Sequence, residues 1–298
     1  MQAITFQQPF KVLVKTVPLP KIIQDTDVIV KISVCGLCGS DLHRNEVGIE
    51  KDTIMGHEFM GIVSEVGSSV NDFKVGDRVL SPFTTCCGEV QLFGWVENGY
   101  GLHGGQTEYI RVPLASSTLI KVPDEISDKT ALLLGDVLST GYFCAENGLN
   151  ELAPQLSYLK QYKLDYQKKD EYDDVVVVVV GCGPVGLMSI ASAIYLGVKN
   201  IFSVDSIQER LELAKDFGAT PIHLIEDNPI ERIKEITNGR VRRMLTKTIP
   251  FALSKKFNFE KIITHEMKLC DGEKAYEIFE KKLDKCVKTR SLNRIETL

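Results

Sequence analysis

Thiol, imidazole and carboxylate side chains, the groups that bind zinc in proteins, occur close together in one stretch of the chain. The stretch begins at Cys35 with the residues CGLCGSDLH and resumes, after a run of mixed residues, as GHE, which ends at Glu58. Cys38 offers a sulfur ligand and His57 a nitrogen ligand. A catalytic zinc has three protein ligands and one open position, so the stretch predicts a catalytic metal site.

Two further residues of the same stretch suit proton transfer. Ser40 and His43 follow Cys38 closely, and an imidazole with an ordinary pKa near about 6.5 is a suitable base at neutral pH. Each residue by itself has a structural interpretation, because free cysteines are usually buried and histidines often lie on the surface. The combination of residue types favours the metal site over that alternative.

A second candidate site follows a strand. Residues 175–180 are all valine, a pattern typical of a strand that is covered on both faces. GCGPVG follows at once, then an apolar helix over residues 187–196 and a strand over residues 201–204 that ends at Asp205. A glycine-rich turn between strand and helix, with an acid after the next strand, indicates a dinucleotide site. The candidate contacts are Gly181, Gly183, Pro184, Val185, Gly186 and Asp205.

Each part of this second pattern has a physical reason. The glycines permit a tight turn and the close approach of a pyrophosphate to the start of the helix. Asp205 would accept hydrogen bonds from the ribose hydroxyls and repel a 2′-phosphate, so the sequence favours NAD over NADP. An ordinary strand-to-helix turn is the alternative. Ser206 to Glu209 has the form of a capping box for the helix that follows.

Short strands are predicted around the metal-binding stretch. Residues 27–34 alternate between apolar and polar positions, which indicates a strand with one buried side. Similar runs, separated by turn-forming residues, occur at residues 61–66, 78–81, 107–112 and 119–122. Many short strands of this kind are typical of a barrel-like β domain.

Together these motifs resemble the zinc-dependent alcohol dehydrogenases of the medium-chain dehydrogenase/reductase family. The resemblance rests on GLCGSDLH with GHE, on VGDRV at residues 75–79, on GDVLSTGY at residues 135–142 and on GCGPVG. It covers most of residues 1–240 and resumes near the C-terminus. The aspartate in the GDxxxTG motif is similar to that of the formaldehyde-dehydrogenase-like branch.

The resemblance implies an α/β fold, with a GroES-like β-barrel catalytic domain and a truncated Rossmann, doubly wound nucleotide-binding domain. It also implies that Asp136 completes the ligand set of one catalytic Zn2+ with Cys38 and His57. The residues alone place Asp136 in a helix over residues 129–147 among apolar neighbours, where a lone buried charge is costly; a solvent-facing aspartate is the alternative. Asp41 and Glu58 would lie behind the ligands and orient them.

The chain divides into four predicted segments. Residues 1–150 form the zinc-binding catalytic domain, 151–174 an inserted linker, 175–250 the truncated NAD-binding domain, and 251–298 a C-terminal segment that packs near the domain junction. Beyond Arg240 the chain resembles the late part of the family's nucleotide-binding domain, so the second half of that sheet is largely missing. The adjacent Cys86 and Cys87 cannot supply four ligands for a structural zinc, and one zinc per chain is expected.

Length and composition are those of an ordinary globular protein with more than one domain. The 298 residues carry a net charge of −5, which implies no general attraction to nucleic acid or to an anionic membrane. The N-terminus lacks the basic start and apolar run of a secretory signal, and the eight cysteines suit reduced thiols better than a disulfide framework. A cytoplasmic protein is expected.

The leading hypothesis is a zinc-dependent oxidoreductase that transfers a hydride to NAD from an alcohol, or from the hydrate or thiol adduct of an aldehyde. The alternative is an impaired relative that binds zinc and nucleotide without a complete cofactor site. A zinc-free reductase of the same fold is disfavoured by the ligand set Cys38, His57 and Asp136. The expected partner is a small alcohol or aldehyde. The family forms homo-oligomers, and the truncation argues against that assembly here.

Overall fold

The computed structural model describes residues 1–43, 48–85, 90–161, 175–237 and 258–292. The chain forms two compact units, one from Met1–Asp136 with Ile263–Leu298 and the other from Val137–Ile262. Strands and helices occur in both, and the predicted α/β class is confirmed. The unit boundary follows Asp136 and does not lie at residue 150, because residue 150 is inside a continuous helix, Val137–Gln161.

The elements are numbered in chain order. The strands are β1 (Gln2–Gln8), β2 (Lys11–Thr16), β3 (Val28–Gly36), β4 (Phe59–Val66), β5 (Arg78–Ser81), β6 (Trp95–Glu97), β7 (Tyr100–Leu102), β8 (Tyr109–Val112), β9 (Ile120–Lys121), β10 (Val176–Val180), β11 (Asn200–Asp205), β12 (Thr220–His223), β13 (Ile263–Lys268) and β14 (Lys288–Leu292). The helices are α1 (Gly39–His43), α2 (Ala115–Thr118), α3 (Asp128–Gly135), α4 (Val137–Gln161), α5 (Pro184–Tyr195), α6 (Gln208–Asp216), α7 (Pro229–Thr237) and α8 (Gly272–Lys281). Within the described ranges, none of these helices has the length and apolar character that a membrane crossing requires.

A seven-stranded sheet dominates the first unit, in the order β13-β14-β3-β4-β5-β9, with β8 also paired to β3. Its strands β3, β4, β5, β8 and β9 correspond to the five strands predicted between residues 27 and 122. The core beneath it includes Phe59 and Phe93, whose rings meet edge to face at 5.1 Å. This packing involves the start of β4, and the pairing of Cys35 with Phe59 holds the end of β3 beside it, so both ends of the metal-binding stretch are positioned.

Two strands of this sheet come from the C-terminal part of the chain. β14 pairs antiparallel with β3, so that Ser291 lies opposite Cys35, and β13 runs parallel to β14. Residues 263–292 therefore belong to the first unit, whereas the sequence predicts a C-terminal segment over residues 251–298 that packs near the domain junction. The pattern misleads because Lys288 and Arg290 in β14 are polar yet buried, whereas a buried strand is expected to read as apolar.

The second unit contains three parallel strands among its described residues, in the order β10-β11-β12. β10, α5 and β11 confirm the strand, helix and strand predicted around GCGPVG. The run of valines is less enclosed than predicted, since Val177 is 3% exposed but Val180 is 76% exposed. Val180 lies at the carboxyl end of its strand, where the glycine-rich turn begins.

Several predictions fall on residues that are not described. The missing second half-sheet concerns residues 238–257, and most of the predicted linker concerns residues 162–174; both ranges lie outside the described residues. The earlier part of the predicted linker continues α4 as far as Gln161.

Candidate functional site

Four side chains with metal-binding atoms converge in the first unit. Cys38, His57, Glu58 and Asp136 each offer one ligand atom, and these atoms all lie within 4.8 Å of one another. Asp136 Oδ2 is 3.2 Å from His57 Nε2 and 3.5 Å from Cys38 Sγ. The structure thus brings together the three ligands predicted from the sequence and adds Glu58 to them.

Asp41 holds two of the candidate ligands in place. Its Oδ2 accepts a hydrogen bond from the backbone N–H of Cys38 at 3.0 Å, and its Oδ1 lies 3.3 Å from His57 Nδ1. A metal-binding histidine is commonly oriented in this way by a carboxylate on its other ring nitrogen. Asp41 therefore lies where a carboxylate could orient His57, which is the role that the family resemblance implies for it.

Asp136 reaches the cluster because a helix ends just before it. α3 starts at the N-cap Ser127, whose side chain accepts from the backbone N–H of Thr130, and it ends at Gly135. A Cβ at Gly135 would lie 2.8 Å from the backbone oxygen of Ser81, so glycine lets the helix end approach β5 closely. Asp136 has φ −143° and ψ −76°. It lies between α3 and α4, and its predicted placement inside one continuous helix over residues 129–147 is wrong.

Glu58 is fully buried and ion-paired. Its Oε1 lies 2.5 Å from the ammonium of Lys288, and both side chains are 1% exposed. Its Oε2 is buried and has no hydrogen-bond partner among the described residues. A Cβ at Gly36 would lie 2.0 Å from Oε2, so glycine at that position makes room for the carboxylate. Sequence reasoning missed Lys288, because no local motif connects it to Glu58.

The electrostatics of the cluster are dominated by its carboxylates. Burial by itself lowers the pKa of His57, but Asp41 and Asp136 outweigh that effect and raise this pKa to about 12. Burial also opposes the charge on Lys288, yet Glu58 and the other anionic groups nearby raise the pKa of its ammonium. Without a bound metal the His57 ring therefore holds a proton that a coordinated cation would displace, because a ligating histidine must be neutral.

Only one cysteine of the CGLC sequence is suited to metal binding. Cys35 is 1% exposed within the core. Burial, and to a lesser degree the charges of Asp41 and Glu58, raise the pKa of its thiol to about 12. A metal ligand must be a thiolate, so Cys35 remains a core residue and Cys38 is the sulfur donor.

The structure places only one of the two side chains that are predicted to transfer protons. Ser40 Oγ lies 3.5 Å from His57 Nε2, which places the hydroxyl beside the cluster. His43 ends α1, but its side chain is outside the described residues, as are Cys86 and Cys87. The ring of Phe83 meets His57 edge to face at 6.5 Å and adds an apolar neighbour that the motifs did not reveal.

The residues present fit a zinc ion. One sulfur, one imidazole nitrogen and carboxylate oxygens are donors that zinc accepts, and they lie close enough together to share one ion. A fully buried carboxylate oxygen without a protein partner, as at Glu58 Oε2, is costly unless something else satisfies it. Both observations agree with a cation at this position.

The second unit contains the glycine-rich turn. Gly181 has φ +90°, a backbone conformation that favours glycine, and its N–H donates to the Val204 oxygen at 2.8 Å. A Cβ at Gly186 would lie 1.9 Å from the oxygen of Gly181, so the turn and the helix can approach only with glycine there. Gly183 is the N-cap of α5, with Pro184 and Val185 in its first turn. The backbone N–H groups at this helix start remain available to a ligand.

Asp205 closes the turn from the end of β11. Its Oδ2 accepts from the backbone N–H of Cys182 at 2.6 Å, and its Oδ1 accepts from that of Ile207 at 2.9 Å. Arg210 Nη1 lies 4.0 Å from Oδ2, a neighbour that sequence reasoning missed. Each carboxylate oxygen can accept a second hydrogen bond, so Asp205 retains capacity for a ligand.

The predicted capping box at Ser206 is wrong. The N-cap of α6 is Ile207, which makes no side-chain cap hydrogen bond. Asp205 takes over part of that role by accepting from the Ile207 N–H. The helix therefore begins one residue later than the Ser206–Glu209 pattern indicates.

Comparison with known proteins matches both units. The alcohol dehydrogenase GroES-like domain matches residues 24–124, and the zinc-binding dehydrogenase domain matches residues 184–249. The medium chain reductase/dehydrogenase ucsI of Acremonium sp is 39% identical over 259 residues, covering 80% of this chain and 82% of that protein. The zinc-type alcohol dehydrogenase B of Aspergillus flavus is also 39% identical, but the chain spans only 56% of its length.

A solved structure agrees with these sequence matches. The alcohol dehydrogenase TADH from Thermus sp. ATN1 superposes with a TM-score of 0.80 at 27% identity, covering 99% of this chain and 100% of that one. The similarity extends to the pairing of a GroES-like domain with a mixed α/β architecture.

Proposed function

The chain belongs to the zinc-dependent branch of the medium-chain dehydrogenase/reductase family, a family of oxidoreductases, and we propose that it transfers a hydride from a small alcohol to NAD. The observation that carries the proposal is the convergence of Cys38, His57, Glu58 and Asp136 within 4.8 Å. A sulfur, a nitrogen and an oxygen donor held together in this way are suited to a catalytic zinc.

In this proposal Cys38, His57 and Asp136 would hold the ion as its three protein ligands, the number typical of a catalytic zinc site that accepts a substrate oxygen. When bound, zinc supplies Lewis-acid chemistry, which lowers the pKa of the substrate hydroxyl. Asp41 keeps the His57 ring in the orientation that presents Nε2, since its carboxylate faces Nδ1 at 3.3 Å. Lys288 neutralises Glu58 and keeps the excess of negative charge around the ion small.

The proton of the substrate hydroxyl needs a route to solvent. Ser40 is exposed, and its Oγ lies 3.5 Å from His57 Nε2, so this hydroxyl is next to the proposed substrate position. We assign Ser40 to take up and pass on that proton, and His43, at the other end of α1, to receive it as the base. NAD, when bound, would supply the hydride acceptor, so that the alcohol would give up one proton along this route and one hydride to the cofactor.

The second unit would bind the nucleotide. Gly181, Gly183 and Gly186 open the start of α5 to a pyrophosphate, with Pro184 and Val185 in the first turn of the helix. Asp205 would accept hydrogen bonds from the ribose hydroxyls, because each of its two oxygens can accept another hydrogen bond besides the one from the backbone N–H of Cys182 or Ile207. Its negative charge disfavours a 2′-phosphate, which supports NAD over NADP.

The substrate is proposed only as a class. The half-exposed ring of Phe83 beside His57 suits the carbon skeleton of a small alcohol. Oxidation of an aldehyde hydrate or thiol adduct, as in the formaldehyde-dehydrogenase-like branch, rests on the carboxylate ligand Asp136 alone. The six described cysteines are free thiols, which supports a cytoplasmic location.

A second candidate function is an impaired relative that binds zinc and nucleotide without turnover. It is supported by the nucleotide-binding sheet, which has three strands among the described residues, whereas a complete dinucleotide-binding fold has two such halves. A missing second half-sheet, which the sequence predicts, would also argue against the family's homo-oligomer for this chain.

One experiment separates the two candidates. Purified protein is assayed for zinc content and then for NADH formation with a panel of primary and secondary alcohols and with formaldehyde plus a thiol. The oxidoreductase is supported if the protein contains zinc and forms NADH, and if His57→Gln abolishes NADH formation while Cys270→Ser leaves it unchanged. Zinc and NAD binding without NADH formation supports the impaired relative, and protein that binds no zinc contradicts both.

A further inference from the structure

Two buried hydrogen bonds and one close carboxylate–imidazole contact form a hydrogen-bond chain from helix α8 to the candidate ligand His57. The Tyr276 hydroxyl donates to Gln106 Oε1 at 2.9 Å, and Gln106 Nε2 donates to Asp41 Oδ2 at 3.3 Å. Asp41 Oδ1 in turn lies 3.3 Å from His57 Nδ1. These four residues are between 1% and 8% exposed, so solvent competes little for any of the bonds.

The direction of this hydrogen-bond chain is set by the amide of Gln106. Its Nε2 donates both to Asp41 and to the backbone oxygen of Gly36, at 3.1 Å. Rotating the amide by half a turn would point its oxygen at two acceptors, which is unfavourable. Asp41 therefore receives hydrogen bonds, and the His57 nitrogen that faces it carries a proton. The other ring nitrogen, Nε2, is left as the metal donor.

The position of Gln106 is fixed by the segment that leads into His57. The backbone N–H of Gln106 donates to the Met55 oxygen at 2.9 Å, and that of Gly105 donates to the Gly56 oxygen at 2.8 Å. Gly56 has φ +90°, and a Cβ there would lie 2.4 Å from Gln106 Cγ. Glycine at this position allows the glutamine side chain to lie directly against the residue that precedes the ligand.

The position of Tyr276 is fixed by the contact of α8 with the β1–β2 hairpin. A Cβ at Gly272 would lie 2.4 Å from Ile4 Cδ1, so the helix start packs closely on β1. Glu273 Oε1 accepts from the backbone N–H of Val14 at 3.3 Å, which ties the first turn of the helix to β2. The hydroxyl at the far end of the hydrogen-bond chain is therefore held by two elements.

We propose that Gln106 and Tyr276 are positioning residues for the metal site. They orient Asp41 and, through it, hold the His57 ring so that Nε2 faces the metal. The inference rests on the proposed function, since it requires a metal bound by His57. The inference makes helix α8, which carries Tyr276, part of the metal site, although this helix lies outside every zinc-binding motif in the sequence.

The test is the zinc affinity of two variants, measured by competition with a chromogenic chelator. Gln106→Met keeps the length of the side chain and removes its hydrogen bonds; the zinc dissociation constant should rise about tenfold or more, as is typical when a partner of a ligating histidine is lost. Tyr276→Phe removes only the hydroxyl. It should raise the zinc dissociation constant about fivefold, which corresponds to the free energy of one neutral hydrogen bond. Tyr109→Phe, the same change outside the hydrogen-bond chain, should leave it unchanged.

Two further readouts distinguish positioning from plain structural support. In the cobalt-substituted protein the visible absorption band should shift in Gln106→Met and Tyr276→Phe and remain as it is in Tyr109→Phe. Thermal unfolding of the metal-free protein measures stability alone. Lower stability with unchanged zinc affinity and an unchanged cobalt band overturns the proposal. If Gln106→Met does not fold, Tyr276→Phe decides the question. Zinc binding that neither variant alters overturns this inference alone, whereas an unsubstituted chain that binds no zinc overturns the proposed function with it.

Discussion

The ammonium of Lys288 lies 2.5 Å from Oε1 of Glu58, and the two side chains, each 1% exposed, are 230 positions apart in the sequence. The contact joins β14 to the GHE motif beside the candidate metal ligands. A charge buried this deeply is tolerated because the opposite charge is buried with it.

Removing the positive member of this pair should destabilise the protein. Lys288→Met leaves Glu58 buried and unpaired, and the free energy of unfolding of the metal-free protein should fall by about 3–5 kcal/mol in urea titrations. Lys268→Met, an exposed change on β13, should change it by less than about 0.5 kcal/mol. The double variant Glu58→Gln with Lys288→Met should recover part of the loss. A single variant as stable as the unsubstituted chain would show that the pair is not the source of stability.

Metal content should follow the proposed ligand set. We expect about one zinc per chain, measured by atomic emission on the purified protein. Cys38→Ala, His57→Ala and Asp136→Ala should each remove most of it, because each deletes one of three ligands. Cys144→Ala removes an exposed free thiol and should leave the zinc in place. Two zinc ions per chain would mean that a further site exists.

Nucleotide preference should depend on Asp205. The unsubstituted chain should bind NADH more tightly than NADPH in fluorescence titrations. Asp205→Asn removes the negative charge. The ratio of the NADPH dissociation constant to the NADH dissociation constant should fall at least about fivefold, equivalent to about 1 kcal/mol. Asp216→Asn, an exposed change at the end of α6, serves as the control. Equal affinities for the two nucleotides in the unsubstituted chain would contradict the role of Asp205.

Zinc uptake should release protons, because a ligating histidine must be neutral. Asp41 and Asp136 raise the pKa of His57 to about 12 in the metal-free site, although burial opposes them, so zinc must displace at least the His57 proton. A pH indicator in weakly buffered solution should record this release, and zinc affinity should rise as pH rises from about 6 to 9. His57→Gln should remove this contribution.

The same shift has a consequence for the metal-free fold. The folded-state pKa of His57, about 12, lies above the unfolded value of about 6.5. The protonated ring therefore contributes stability that is fully present below about pH 6.5 and is lost as pH rises from there toward the folded value. Urea unfolding at several pH values should show this decline in the metal-free chain, and a flat profile across that range would contradict the assignment.

The local patterns in the sequence were sufficient for much of the fold and of the candidate site. Alternation in residues 27–34 predicts β3, and the residue types of the 35–58 stretch predict Cys38 and His57 as metal ligands. The family resemblance adds Asp136, and the structure brings the three side chains together. The predictions made from residues alone succeed because the period of a strand and the donor types of a metal site are both visible in short stretches of sequence.

The features of the candidate site that the sequence did not predict depend on contacts between residues that are distant in the chain. Lys288 and Tyr276 carry no motif, and their roles become visible only when β14 pairs with β3 and α8 packs on the hairpin. The position of Asp136 between two helices was equally hidden, since the residues on both sides of it favour helix. Packing of the end of α3 against β5 decides that break.

The separation of Glu58 from Lys288 has a consequence for how the protein is made. Translation at about 5–20 residues per second would leave the 230 positions between them to be synthesised over tens of seconds. Once Asp136 has been added, the nascent chain carries Cys38, His57, Glu58 and Asp136 without the lysine that neutralises the buried carboxylate. Long-range strand pairing of this kind is also slow to form. Completion of the metal site therefore waits for β14, and a chain interrupted before residue 288 would retain every proposed zinc ligand while lacking the charge that balances them.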